Sequence, residues 1–314
     1  MRNFILGTDW WTDCDDAVAL RIISRFVNKG EINLKGIIIN AAMEYSYASL
    51  KGFLLNEGIA DMPIAIDLEA TDFGGKPSYQ KRLKENFSPE LENPEKSDPI
   101  KLYRKLLAES CGQVEIMEIG FLQVIAGLLE SKADEYSPLS GAELVKSKVK
   151  KFWVMAGKWD KDGERENNFC RNARSRAAAE KFCRICPVPV TFLGWEIGFD
   201  VITGGKLEKD DPLYKVLCDH GSFNGRSSWD PMLVLLALIG DEEKAGYSLI
   251  KGTASVDPSD GSNYFEKNEK GLHGYVIKKF ENQYYEDLIN NIIKKTQKNC
   301  RVEVGSFDFI YKAF

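Results

Sequence analysis

The chain has 314 residues, with 42 Lys plus Arg against 47 Asp plus Glu, a net charge of −5 and 44% apolar residues. That mild acidity, with no basic stripe carrying interleaved aromatics, speaks against a nucleic-acid-binding surface. No apolar run reads as a secretory signal or a membrane span, so the expectation is a cytoplasmic protein with one α/β domain over residues 1–314. Seven scattered cysteines are an odd number and predict no disulfide framework. Cys183-Arg184-Ile185-Cys186 is a lone CxxC in a chain with two histidines, which points to buried thiols rather than zinc.

Phe4-Ile5-Leu6 predicts a short buried strand, and Ala17, Val18, Leu20, Ile22, Ile23, Phe26 and Val27 recur at helical spacing. Between them lie Asp9, Asp13, Asp15 and Asp16, four carboxylates in eight residues. Asp at a helix start complements the macrodipole, and one or two would need no other reason. Four exceed what capping uses, and a divalent metal with hard oxygen ligands is the economical neutraliser.

Strand-like and helix-like stretches then alternate. Residues 34–40 (LKGIIIN) read as a strand buried on both faces, 46–59 as a helix, and 63–67 as a third strand. Residues 68–97 break the pattern with Gly74-Gly75, prolines and charges, and predict a long polar loop near the site. Asp98-Pro99 starts a helix running to Leu107; residues 114–120 read as a strand and 121–129 as the helix after it. A strand at 152–157, a polar loop at 158–170, a helix at 174–183 and a strand at 188–193 follow. Residues 231–238 (PMLVLLAL) are too apolar for a surface helix. Residues 275–280 read as a hairpin strand and 283–295 as an amphipathic helix. This βα alternation predicts a doubly wound, mostly parallel sheet flanked by helices, with the site at the carboxyl ends of the strands. Asp230, in Trp229-Asp230-Pro231, reads alone as another Asp-Pro cap; convergence with Asp9 and Asp16 would lift it to a ligand.

In this order the pieces resemble the inosine–uridine-preferring nucleoside hydrolase family. Asp9 and Asp15-Asp16-Ala17 are similar to its opening aspartate signature, and Asn40 to an asparagine after its second strand. Ile119-Gly120-Phe121-Leu122-Gln123 resembles its mid-chain turn, Met155-Ala156-Gly157 a Met-Gly-Gly strand end, and Asp230-Pro231 its late Asp-Pro. The resemblance implies one calcium ion held by Asp9, Asp16, Asp230 and the Ile119 carbonyl, with Asp13 a further candidate ligand. It implies Asp9 as general base, and a ribose hydroxyl on Asp15. Asn40 and Asn168 would be further substrate contacts, and the family's frequent dimers or tetramers imply a homo-oligomer. The substrate would be a nucleoside or related riboside, with no nucleic acid or membrane involved. Trp10, Trp11 and Trp229, at predicted strand ends, are candidates to stack on base or sugar, with space-filling as the alternative for the first two.

The departures are specific. The signature's first aspartate is Gly7, and its Pro-Gly turn becomes the longer Trp10-Trp11-Thr12-Asp13-Cys14. The family's Glu-Phe-Asn aligns with Asn168-Phe169-Cys170, losing a ribose-binding carboxylate, and its late histidine is Trp229. Three functions stay open on the sequence: an N-ribosyl hydrolase, a metal-dependent ribose- or nucleoside-binding protein that has lost catalysis, and a phosphohydrolase of the haloacid dehalogenase type.

Overall fold

The computed structural model describes residues 1–294; residue 295 of the predicted last helix, and Cys300, lie outside the described residues. Twelve strands are formed among them: β1 (Arg2–Thr8), β2 (Ile32–Ile39), β3 (Ile64–Ile66), β4 (Val114–Glu118), β5 (Val149–Met155), β6 (Glu164–Arg165), β7 (Val190–Leu193), β8 (Ile202–Thr203), β9 (Arg226–Ser227), β10 (Tyr247–Val256), β11 (Ser262–Lys267) and β12 (His273–Lys278). Ten join one sheet in the order β3-β2-β1-β4-β5-β7-β12-β10-β11-β6, while β8 and β9 pair separately. From β3 to β12 the neighbours are parallel; β10, β11 and β6 are added antiparallel. The expected doubly wound, mostly parallel sheet is thus present.

Alternation along β1 builds the two apolar layers. Phe4 and Leu6 join a core with the helices Asp15–Asn28 and Trp229–Ile239, while Ile5 faces a second core with Ile116, Phe152 and Leu107. The apolar run predicted for residues 231–238 is that central helix, buried from Asp230 to Leu238.

Chain order reverses direction across the sheet between β1 and β4, and a parallel sheet opens its crevice where that happens. The carboxyl ends there are Thr8-Asp9 and Glu118-Ile119. They are pressed together: a Cβ on Gly120 would collide with the Asp9 backbone nitrogen, so only glycine lets this turn meet the end of β1.

Some segments differ from expectation. The polar excursion at 68–97 contains the helix Gln80–Phe87, and the loop at 158–170 contains β6 and a short helix, Asn167–Cys170. The helices Gly141–Lys148 and Pro212–His220, and the strands β10 and β11, have no counterpart in the predicted elements.

Candidate active site

β1 delivers Asp9, and the first turn of the helix Asp15–Asn28 delivers Asp15 and Asp16. The first turn of Trp229–Ile239 delivers Asp230. All four are buried. Asp15, Asp16 and Asp230 each offer an oxygen within 4.8 Å of the others. Thr8 Oγ1 donates to Asp16 Oδ1, which also accepts from the Trp10 amide at 3.3 Å. Trp10 adopts φ +42°, a backbone conformation uncommon outside glycine, as the chain turns here. The Asp230 amide donates to Asp15 Oδ2 at 3.2 Å. Asp9, Asp15, Asp16, Asp230 and Ile119 all line one cleft of about 390 Å³.

Burial, and then the charges of the neighbouring aspartates, hold Asp9, Asp15 and Asp230 well above the ordinary carboxylate range. Burial pushes Asp16 up to about 6, against the lowering bond from Thr8. A set of hard oxygens this crowded and this poor in protein cations fits a divalent ion.

A stability prediction follows from the sign of these shifts. A carboxylate whose folded pKa lies above its unfolded value near 4 contributes stability below that value and loses it as pH rises through the folded pKa. The chelated protein is therefore expected to lose melting temperature from pH 5 to pH 8, and calcium to raise it more at pH 8 than at pH 5. A calcium effect that is equal at both pH values would refute the ion's place among these carboxylates.

Asp13 lines the same cleft but is paired with a protein cation. Its carboxylate is held by Arg226 through Nε (2.9 Å) and Nη2 (2.6 Å), with His220 Nε2 at 3.7 Å. Burial alone would raise its pKa, but the Arg226 bonds and charge outweigh that and lower it. Its oxygens serve an ion pair.

Asn40 is fully buried beneath the cleft floor and is not among the lining residues. Its Oδ1 accepts from the Phe121 amide at 2.9 Å and its Nδ2 donates to Glu118 Oε1 at 2.7 Å. Glu118 answers the first sequence departure. It pairs with Gly7 across β1 and β4, and a Cβ on Gly7 would fall onto the Glu118 carboxylate. The Glu118 carboxylate thus occupies the space that a side chain at position 7 would fill. Burial pushes it up to about 8, against the Gly120 amide, Asn40 and Tyr103.

Trp10 is buried against Phe53 and Tyr79, with Nε1 donating to Ser49 Oγ at 2.8 Å, so it packs rather than lines the cleft. Trp11 and Trp229 do line it, as does Trp195. Trp11 donates to the Gly74 carbonyl at 2.8 Å, and Trp229 to the Trp195 carbonyl at 2.7 Å.

Asn168 also lines the cleft, donating through Nδ2 to the Met155 carbonyl at 2.9 Å. Two residues earlier stands Glu166, which sequence reasoning missed. It lines the cleft with Oε2 accepting from the Gly157 amide at 3.0 Å and Oε1 from the Asn168 amide at 2.9 Å. Burial pushes it up to about 7, against its backbone donors. Glu166-Asn167-Asn168 thus brings an acid and an amide, with one residue between them, to the cleft, whereas Phe169 and Cys170 of the Asn168-Phe169-Cys170 segment do not line it. Arg171 and Arg226, also unforeseen, complete the lining.

No family model matches the sequence, and no curated protein matches it. Solved structures do. An inosine–uridine preferring nucleoside hydrolase from Bacillus anthracis is 15% identical with a TM-score of 0.67, over 94% of this chain and 100% of that one. A purine-preferring ribonucleoside hydrolase from Gardnerella vaginalis is 14% identical with a TM-score of 0.67, over 93% and 98%. The type III effector protein XopQ, complexed with adenosine diphosphate ribose, is 14% identical with a TM-score of 0.64, over 93% of each chain. At these identities the likeness is one of architecture, and over nearly its whole length this chain has the nucleoside hydrolase fold.

Proposed function

We propose that this protein is a calcium-dependent hydrolase of the N-glycosidic bond of a ribonucleoside or related N-riboside. The observation that carries the reading is one cleft at the β1/β4 crevice lined by Asp9, Asp15, Asp16, Asp230 and Ile119, with Glu166 and Asn168, in which Asp15, Asp16 and Asp230 converge. Asp9, Asp16, Asp230 and the Ile119 carbonyl would hold the ion, which when bound supplies the positive charge that organises a sugar diol and a water. Asp15 and Asn168 then contact ribose hydroxyls, and Asp9 accepts the proton of the attacking water. Trp11 and Trp229 offer their faces to the base or sugar. Soluble behaviour in the cytoplasm as a homo-oligomer belongs to the same reading; among the described residues no helix is long and apolar enough to cross a membrane.

The test is release of reducing sugar from a nucleoside panel, abolished by chelator and restored by calcium. A second reading is favoured by the XopQ complex with adenosine diphosphate ribose and by Trp229 at the family's histidine position: a calcium-dependent riboside-binding protein without turnover. Tight binding with no sugar release would select it.

Leaving-group help separates substrates. The Trp229 indole N–H is committed to the Trp195 carbonyl and cannot protonate a purine. Inosine is expected to be cleaved well below p-nitrophenyl riboside, since a general acid is typically worth about 10²- to 10⁴-fold and an activated leaving group hides its absence. Trp229→His should raise inosine turnover; no change in that variant, with p-nitrophenyl riboside readily cleaved, would remove the missing acid as the limit.

A further inference from the structure

The cleft carries two arginines whose charges are spent differently. Arg226 is cancelled by Asp13, which takes both its Nε and its Nη2. Arg171 gives the same two nitrogens to a neutral acceptor, the Phe73 carbonyl, at 2.8 and 2.7 Å. Its guanidinium lies 4.6 Å over the Trp11 ring. No carboxylate pairs with it among the described residues, and Nη1 has no hydrogen-bond partner there. The Glu166 oxygens are taken by the Gly157 and Asn168 amides. Arg171 is thus a fixed, unneutralised cation at the exposed mouth of an otherwise acidic cleft.

Its position in the chain says what it can reach. Arg171 follows Asn168 by three residues, about one helical turn or ~5 Å further along the same wall. On the reading above, C1 of the ribose is the reacting carbon and the 2- and 3-hydroxyls face Asp15 and the ion-holding carboxylates. The one remaining exocyclic position of the sugar is C5. A fork with a free Nη1, stacked on an aromatic ring and one turn from the sugar amide, suits a phosphate.

We propose that the substrate is an N-riboside carrying a phosphate on C5, with Arg171 reading that phosphate. The inference rests on the proposed riboside site. It requires ribose 5-phosphate to outcompete ribose, since a charge-assisted bond distinguishes the phosphate from a hydroxyl. It also requires that inorganic phosphate, lacking the sugar contacts, bind weakly.

Titration calorimetry in calcium with ribose, ribose 5-phosphate and inorganic phosphate is the test, alongside p-nitrophenol release from p-nitrophenyl riboside and from its 5-phosphate. Ribose 5-phosphate is expected to bind roughly 10- to 100-fold tighter than ribose. Arg171→Gln should bring that ratio near one. Arg171→Lys, which keeps the charge, should retain part of it, and Arg174→Gln, which removes an arginine paired with Asp72 on the next helix, all of it. Equal binding of the two sugars, inorganic phosphate binding as tightly as ribose 5-phosphate, or a preference that survives Arg171→Gln would overturn the proposal. So would a Lys variant as indifferent as Gln, because anchoring of the Phe73 segment would then explain both. Phosphate-selective binding without p-nitrophenol release from either riboside overturns hydrolysis and leaves Arg171 as the reader of the ligand's phosphate. Release without phosphate selectivity does the reverse.

Discussion

Asp16→Ala is expected to abolish calcium binding and, with it, sugar release. Its Oδ1 is oriented by Thr8 and the Trp10 amide, and its carboxylate converges with those of Asp15 and Asp230. Loss of an outer partner of a metal ligand typically costs about 10–100-fold in affinity, and loss of a ligand itself must exceed that. Folding should survive, because the substitution removes one of several mutually repelling buried acids. The expected pattern is cooperative melting in chelator, no rise in melting temperature on adding calcium, and no turnover. A crystal structure of the variant with a fully occupied ion would sink the assignment. Asp230→Asn gives an independent check. A mere cap costs about 0.5–2 kcal/mol whether or not calcium is present, whereas a ligand loses the calcium-induced part.

The largest effect on stability is expected in the middle of the same helix. Arg21 is fully buried, and its guanidinium meets Glu57 at 2.7 Å, Asp211 at 2.8 and 3.2 Å, and the Ile293 carbonyl at 3.0 Å. One cation thereby ties the helix Asp15–Asn28 to the end of Ser46–Glu57, to the cap of Pro212–His220 and to the last turn of Asn282–Ile293. Arg21→Met fills much of the volume but strands two buried carboxylates, a change that costs about 3–5 kcal/mol. For a chain of this size that amounts to a melting temperature lower by roughly 6–15 °C. A drop of less than about 2 °C would show that the two acids find other partners. Adding Glu57→Gln and Asp211→Asn to Arg21→Met should recover part of the loss, because neutral amides are cheaper to strand.

What could be read from the sequence follows from how physical constraints repeat along a chain. Phe4-Ile5-Leu6 and residues 34–40 are apolar because parallel strands are covered on both faces, so β1 and β2 were plain. The Asp9–Asp16 cluster was legible because crowded carboxylates have few other uses. The helix Gln80–Phe87 was not, since only Leu83 and Phe87 mark its inner face within a charged, Pro- and Gly-flanked stretch. β10 alternates buried and exposed residues from Lys251 to Val256, a period-2 signal that was available and overlooked. Glu166 was not legible for a different reason: it lies outside the Asn168-Phe169-Cys170 segment, and only the fold brings its carboxylate to the cleft. The role of Glu118 could not be read at all, because it depends on which residue of β4 lies beside Gly7.

That pairing also constrains how this sequence can change. Gly7 and Glu118 share one volume, so an aspartate on β1 clashes while Glu118 stays, and truncating Glu118 alone leaves the Asn40 amide without its acceptor. Gly7 and Glu118 are therefore expected to change only together: a substitution at either position alone should be deleterious, while the pair of changes should be non-additive and better tolerated.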